Sequence, residues 1–435
     1  MNTISSSMGD LLARLDSAKA DFSVQTVPWT TDARWRISDG AISHETGGYF
    51  DVVGVGFDDS PGEAVVMLYQ PQSAITGLLS TKIGDEFHFL VQARAEPGVF
   101  GLAQFGPTVQ ATPANCLALH GGKSPAHVGS FYAYDPAVAL MGDTIQLDLG
   151  ARYLMKSKRH ILASVKPDIT LWPNFTWVPE NLIRQAVTQS TCLNLDLRSL
   201  LAVSSWNPEA GFAAIRPRSS AVCASLLAPV RAQVVGSMMS SLSNLKRHPR
   251  FLDIASLPNW ELTADGLFEI ENRQGFDVQF FQVHLSGREI SEWCQPLINS
   301  RTPGAAALYC RQTRGVFEVL VGICAEPGLS TGTALLPSFL RYPGQLMAIY
   351  TSFGEASPQE VCGKSLVSSN ESDEGGRFYR DVSQYELIYL PDDLSEKEAS
   401  TGQWITVAEL KKFLGMSNLC SIQLRGLASM LLGID

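Results

Sequence analysis

The chain has 435 residues, 45% of them hydrophobic and 17% charged, which is globular composition with material for two or three domains. A net charge of −10 and a pI near 5.3 exclude a sequence-independent grip on nucleic acid, which needs a clustered basic surface. No apolar run reaches the roughly 20 residues needed to cross a bilayer, so no membrane partner is expected.

The opening stretch MNTISSSMGDLLARLDSAKADF carries Asp10, Arg14 and Asp16 inside its apolar pattern, which predicts a short amphipathic helix rather than a secretory segment. Strand-like alternation or short apolar runs bounded by Gly, Asp and Pro follow in YFDVVGVGF, EAVVMLYQ and FHFLVQARA. Next comes QARAEPGVFGLAQFGPTVQATPAN, Gln92 to Asn115, whose prolines and glycines fix turns and deny regular pairing, so a shaped loop is expected rather than a ladder strand. Its uncharged donors and acceptors, Gln104, Thr108, Gln110, Thr112 and Asn115, suit sugar hydroxyls or base edges; they serve equally well to satisfy a loop's own backbone.

Two short basic clusters, Lys156 to His160 and Lys246 to His248 with Arg250, read as solvated ends of loops or helices. PENLIRQAVTQS reads as a helix, and SLLAPVRAQVVGSMMSSLSNLKRHPRF as a helix running into a linker around Asn244 to Pro249. VFEVLVGICA repeats the strand pattern, and ITVAELKKFLGM reads as a helix capped by Thr406, three residues before Glu409. The eight cysteines form no CxxC pair and no metal-like spacing, so reduced, mostly buried thiols of a cytoplasmic protein are expected, and the sequons at Asn174 and Asn370 are then idle.

The sequence also repeats itself. DGAISHETGGYFDV from Asp39 aligns without gaps on DGLFEIENRQGFDV from Asp265, an offset of 226 (265 − 39). QP recurs at Gln70 and Gln295, LVQARAEPG at Leu90 recurs as LVGICAEPG at Leu320, and LDLGARY at Leu147 as SDEGGRF at Ser372. Four blocks in one order at nearly one period indicate a tandem duplication, with a first repeat over 1–235 and a second over 236–435. Such a period is too long for a solenoid, so each copy is expected to be an α+β unit of mostly antiparallel sheet with a few helices.

The segments QARAEPG, GPTVQATPAN, ISHETGGYF, REISEWCQP and SDEGGRFYRD closely resemble the NDP-hexose 2,3-dehydratase family of deoxysugar biosynthesis, over nearly the whole chain. The resemblance implies two Nudix-like domains without the Nudix metal signature, a homodimer, and a dTDP-linked or other NDP-linked 4-keto-6-deoxy sugar as substrate. The implied reaction removes the proton at sugar carbon 3 and expels the hydroxyl at carbon 2, giving a 3,4-diketo-2,6-dideoxy sugar. One base, one acid and donors for the enolate oxygen suffice. Neither a metal nor a nicotinamide is expected, and no GxGxxG follows a strand.

Candidate acid–base groups are Glu96 and Glu326 in the duplicated AEPG, Glu374 in SDEGGRF, and His44 in ISHETGG. The competing reading makes the glutamates turn-stabilising acceptors and His44 a structural side chain. Ser372, Gly375, Gly376 and Arg377, with Arg152 paired to Arg377 by the repeat, are expected at the substrate, the arginines on diphosphate or on a structural carboxylate.

The sequence departs from the family in both copies. Copy one has LDLGAR where an acidic, serine-containing segment is expected, copy two has LLPSFLRYPG at Leu335 to Gly344 in place of the amide-rich segment, and His44 is opposite Ile270. A single site drawing on both copies would survive these losses. Two separate sites would both be damaged, leaving a binding or partner protein, and loss of the acid alone would leave an isomerase or epimerase at carbon 3. The dehydratase is the expected activity.

Overall fold

The computed structural model describes residues 4–58, 60–119, 123–132, 137–207, 214–242, 248–285, 290–353, 357–391 and 401–435, with the backbone alone for 60–63. The linker expected around Asn244 to Pro249 and the basic residues Lys246 and Arg247 fall largely on 243–247, outside the described residues. Among the described residues no helix is long and apolar enough to cross a membrane.

The fold is α+β, with mixed and antiparallel sheets and short helices. The first helix, Met8–Ala18, starts where Ser7 accepts the N–H of Asp10 and buries Leu11 and Leu15, as its pattern predicts. The strand Ala74–Ile83 runs antiparallel to Glu86–Ala95 and parallel to Ser157–Ser164, which pairs in turn with Ala139–Leu147. Phe175–Pro179 closes the other edge of this sheet. Further along the chain, Gly304–Thr313 runs antiparallel to Val316–Ala325 and parallel to Val382–Tyr389, which pairs with Lys364–Ser372, while Gln403–Thr406 takes the edge. The pairings match one for one.

A second pair of sheets is antiparallel apart from one short parallel edge, Tyr153–Leu154 beside Ser60–Tyr69. It is built on Asp51–Phe57 and on Phe276–His284. Here the chain crosses over. Ser23–Thr26 pairs with Phe276–His284, and Pro249–Leu252 pairs with Asp51–Phe57, so each stretch completes a sheet of the other half, about 255 to 261 residues away in the first case and about 192 to 198 in the second.

Three expectations are corrected. Gln92 to Asn115 is not a loop: Ala103–Gly106 pairs back on Glu86–Ala95, Val109–Ala111 switches to Ala74–Ile83, and Pro113–Cys116 is a short helix. Its prolines lie between elements or at the first helical position, where no ladder N–H is needed. Nor is Lys156 to His160 a solvated end. Ser157–Ser164 is an inner strand, so Lys156, Lys158 and His160 alternate inward and are buried while Arg159 faces outward to Asp143. The thiols are all free, but only Cys192, Cys310 and Cys420 are buried, and Cys362 is exposed.

Two apolar helices, Leu195–Val203 and Ile422–Met430, pack on each other at the centre. Each starts at a side-chain cap, Asn194 and Ser421, and each carries a wholly buried arginine. Arg198 pairs with Glu371 at 2.5 Å, and Arg425 donates to the carbonyl of Leu147 at 2.6 Å. These bonds join segments 173 and 278 residues apart in sequence. Breaking one partner of a buried ion pair leaves a charge without compensation, at a cost of about 3–5 kcal/mol. Arg198→Met is therefore expected to lower the denaturant midpoint by that equivalent, whereas an unchanged midpoint would show that this pair does not hold the centre together.

Candidate functional site

One cleft opens at the crossing of the two halves, with ≈ 1090 Å³ of space between atoms including its mouth. Its lining from the first half is Tyr49, Phe50, Gln70, Arg94, Glu96, Gln110, Thr112, Asn115, Lys156 and Lys158; from the second it is Trp293, Gln295, Glu374, Gly376 and Arg377, with a few smaller neighbours. The half-exposed rings of Tyr49 and Trp293 contrast with the buried lysines, glutamates and Gln70.

The backbone that forms this crossing is tightly braced. The N–H of Gly98, in the EPG turn of the first half, donates to the carbonyl of Gly375 in the SDEGG segment at 2.8 Å. A Cβ on Gly98 would strike the carbonyls of Glu374 and Phe378, and one on Gly375 would strike the Glu96 carboxylate. The N–H of Phe100 donates to Ser372 Oγ at 2.9 Å, which spends that hydroxyl on the same brace. Only glycine permits such an approach.

Glu374 accepts the N–H of Gly376 at 2.8 Å and that of Arg377, and pairs with the Arg377 guanidinium at 3.3 Å. This shapes its loop and leaves a carboxylate facing the cleft. Arg377 donates to Gln70 Oε1 at 2.7 Å, and Gln295 donates to the carbonyl of Gly376 at 2.5 Å, so the QP repeat noted in the sequence supplies two of the loop's supports. Glu96 accepts from Arg94 at 2.9 and 3.3 Å.

The amide-rich segment divides. Gln110 lines the cleft and is oriented by the Asn194 amide at 3.0 Å. Thr112 and Asn115 line it too, but they form a capping box on the helix Pro113–Cys116. Thr108 lies outside the lining: it accepts from Leu79 N–H and donates to the Leu90 carbonyl, as Ser338 does between Tyr309 and Leu320. Gln104 is buried away from the cleft. His44 sits behind Tyr49, with ring centroids 4.4 Å apart and Nδ1 2.8 Å from Thr46 Oγ1, and burial first, then Arg34, lowers its pKa.

Lysines that the sequence reading placed in solvent are central to the site. Lys158 contacts Asp196 at 2.9 Å and Asp148 at 3.2 Å; burial opposes its charge, but these carboxylates outweigh it and raise its pKa. Lys156 donates to Gln70 at 3.3 Å, lies 3.9 Å from Asp148 and sits 4.2 Å above the Tyr153 ring. Burial, then the charge of Arg377, lowers its pKa to about 7 against the pull of Asp148. The signal in the sequence was the Lys-x-Lys-x-His alternation ahead of an apolar strand, which fits a strand with a polar inner face.

The equivalent crossing in the other half is filled. Gly328 N–H donates to the Gly150 carbonyl at 2.7 Å, and a Cβ on Gly150 would strike Glu326. Tyr342 donates to Glu326 at 3.1 Å, and Arg152 donates to the Pro343 carbonyl and stacks 4.4 Å from the Phe276 ring. Arg152 and Glu326 thus belong to this packed region, apart from the cleft. Asp373 and Asp381 are buried there, accepting from Ser383 at 2.9 Å and Ser300 at 2.6 Å. Burial raises the pKa of Glu326 to about 7, of Asp373 to about 8, with help from Asp381, and of Asp381 to about 6.

Comparison with known proteins follows the same full-length pattern. The sequence pattern of the family described as NDP-hexose 2,3-dehydratase matches residues 8–203 and 239–431. A dTDP-4-dehydro-6-deoxy-alpha-D-glucopyranose 2,3-dehydratase from Saccharopolyspora spinosa is 26% identical over 94% of this chain and 88% of that protein. Proteins of the same name from Amycolatopsis orientalis and Streptomyces violaceoruber are each 25% identical, over 93% and 92% of this chain and 86% and 89% of theirs. A solved structure of a C. elegans Ap4A hydrolase shares 16% identity across 26% of this chain and 83% of its own, with a TM-score of 0.18, too slight a likeness to bear on the fold.

The filled crossing sets a pH dependence of stability. Carboxyls whose folded pKa lies above the unfolded value of about 4 favour folding while protonated, and that contribution is lost as pH rises through the folded values of about 6, 7 and 8. The melting temperature should fall between pH 5 and pH 8.5, and Asp373→Asn should flatten the fall. An equally steep fall in the variant would remove Asp373 from this account.

Proposed function

The chain belongs to the NDP-hexose 2,3-dehydratase family, and on that premise we propose that the cleft at the crossing of its halves is the dehydratase site. The enzyme is a carbon–oxygen lyase acting on a dTDP-linked 4-keto-6-deoxyhexose, in line with the names of its relatives. The observation that carries the reading is that Gln110 and Glu374, members of the motifs that survive in different copies, line the same cleft. One site drawing on both copies needs nothing from the segments each copy lacks.

The chemistry assigns roles to the lining. The ketone at carbon 4 acidifies the proton at carbon 3, and loss of that proton places negative charge on the carbon 4 oxygen. Arg377, fixed between Gln70 and Glu374, offers a preorganised donor to that oxygen. Glu96 and Glu374 each already accept from a guanidinium; they orient Arg94 and Arg377 and accept from sugar hydroxyls. Gln110, with its amide held by Asn194, binds the sugar, and the rings of Tyr49 and Trp293 offer stacking surface to the base.

Three further parts of the reading are proposals of the same kind. The matched strand pairings and the sequence period support a tandem duplication over 1–235 and 236–435, which we take as two Nudix-like units. Free thiols throughout support a cytoplasmic location. The homodimer implied by the family resemblance predicts sedimentation at twice 47.3 kDa.

Incubation with dTDP-4-keto-6-deoxyglucose should release a product lighter by one water, and mass unchanged after complete conversion would favour an isomerase instead. Gln110→Ala is expected mainly to raise KM. Glu374→Gln, which loosens Arg377, is expected mainly to lower kcat, by about 10²-fold for a displaced catalytic group. Full activity in Glu374→Gln would take the second half out of the site.

A further inference from the structure

We propose that the Lys156 amine is the proton carrier of the elimination, taking the proton from sugar carbon 3 and passing it to the departing hydroxyl at carbon 2. The inference rests on the dehydratase reading and deepens it by naming the base, which neither family membership nor the sequence motifs supply.

The geometry separates Lys156 from its neighbours. Every other charged group in the cleft is held in a close ion pair: Glu96 with Arg94 at 2.9 Å, Glu374 with Arg377 at 3.3 Å, and Lys158 with Asp196 at 2.9 Å. The two carboxylates are thus occupied by guanidinium donors, and Lys158 stands between two carboxylates that hold its charge. Lys156 has neither constraint. Its nearest carboxylate, Asp148, stands 3.9 Å away and is drawn closer to Lys158 at 3.2 Å, and its hydrogen-bond partner is the neutral amide of Gln70 at 3.3 Å.

The charged groups facing the amine from each packed element are Lys158 on its own strand, Asp148 from the turn before it, and Glu374 and Arg377 from the loop of the other half; the Tyr153 ring lies beneath. Burial first, then the charges of Arg377 and Lys158, favour the neutral amine against the pull of Asp148 and Glu374, which brings its basicity to about pH 7. At the equivalent place in the filled half, 225 residues on (381 − 156), the chain has Asp381, so the amine is confined to the open cleft.

The step balances. The amine takes the carbon 3 proton and becomes ammonium, while the C–H electron pair forms the carbon 3–carbon 4 double bond and moves charge onto the carbon 4 oxygen. Collapse of that enolate restores the ketone, forms the carbon 2–carbon 3 double bond and breaks the bond to the carbon 2 oxygen. The ammonium proton joins the departing hydroxyl as water, the amine is regenerated, and the enol left at carbon 3 tautomerises to the second ketone. No oxidant or reductant enters.

The test combines two variants with a measurement on the unaltered enzyme. Lys156→Gln and Lys156→Arg are assayed for dehydrated product, for substrate affinity and for melting temperature. Both should bind substrate yet lose about 10²–10⁴-fold in kcat, because arginine keeps the charge but yields no neutral base near pH 7. In the parent enzyme kcat/KM should rise through an apparent pKa near 7, and that pKa should move down on warming, as an amine's does and a carboxyl's does not. Activity retained in Lys156→Arg would make the residue a mere cation and overturn the proposal; so would a temperature-independent limb, a result that needs no variant to fold. If the parent enzyme binds the sugar nucleotide but releases no water, the dehydratase reading itself fails, and the inference falls with it.

Discussion

Two backbone hydrogen bonds govern the architecture: Gly98 N–H to the Gly375 carbonyl at 2.8 Å, and Gly328 N–H to the Gly150 carbonyl at 2.7 Å. Each ties the turn after a central strand of one half to the loop that the other half sends across. At that separation neither turn nor loop tolerates a Cβ, so glycines occupy both sides. Everything functional follows from this contact. The cleft lies where main chain from both halves meets, and its polar side chains reach it from elements that are complete only after the crossing. The exchange of Ser23–Thr26 and Pro249–Leu252 between the antiparallel sheets, and the buried arginines of the central helices, enforce the same arrangement from behind.

The two crossings share a backbone plan but have different interiors. At the open one, Thr112 occupies the position that Tyr342 holds at the other, and Lys156 the position of Asp381. Tyr342 fills its crossing with a ring whose hydroxyl bonds Glu326, and Arg152 spends its guanidinium on a carbonyl and an aromatic face. Removing the need to bind a ligand lets such a region be packed, at the cost of keeping carboxyls protonated in a dry interior. The open crossing keeps its charges in pairs, and pairing is what lets a buried cleft remain charged.

Much of this was legible in the sequence. The repeated AEPG blocks mark the turns at both crossings, the two QP amides both support the loop of the open one, and Thr406 with Glu409 announces a helix start that the structure keeps as a capping box. Gln110, Glu374 and Arg377 were singled out from residue type and motif and do line the cleft. Other parts were beyond reach for physical reasons. Gln92 to Asn115 has loop composition yet folds into short strands, because its prolines fall where the ladder changes partner. Lys156 and Lys158 look solvated until Asp148 and Asp196, the latter 38 residues away, come to meet them. Gln104, Thr108 and Arg152 have the right chemistry for a sugar site but are used by the backbone or the packing, which no local pattern distinguishes.

The central claim is that one site is assembled from both halves, and a crystal structure with an unreactive dTDP-4-keto-sugar analogue tests it most directly. The account predicts the sugar ring between Gln110 and Arg377, in contact with residues on both sides of the crossing. A ligand seated entirely within one half, away from Arg377 or away from Gln110, would contradict it.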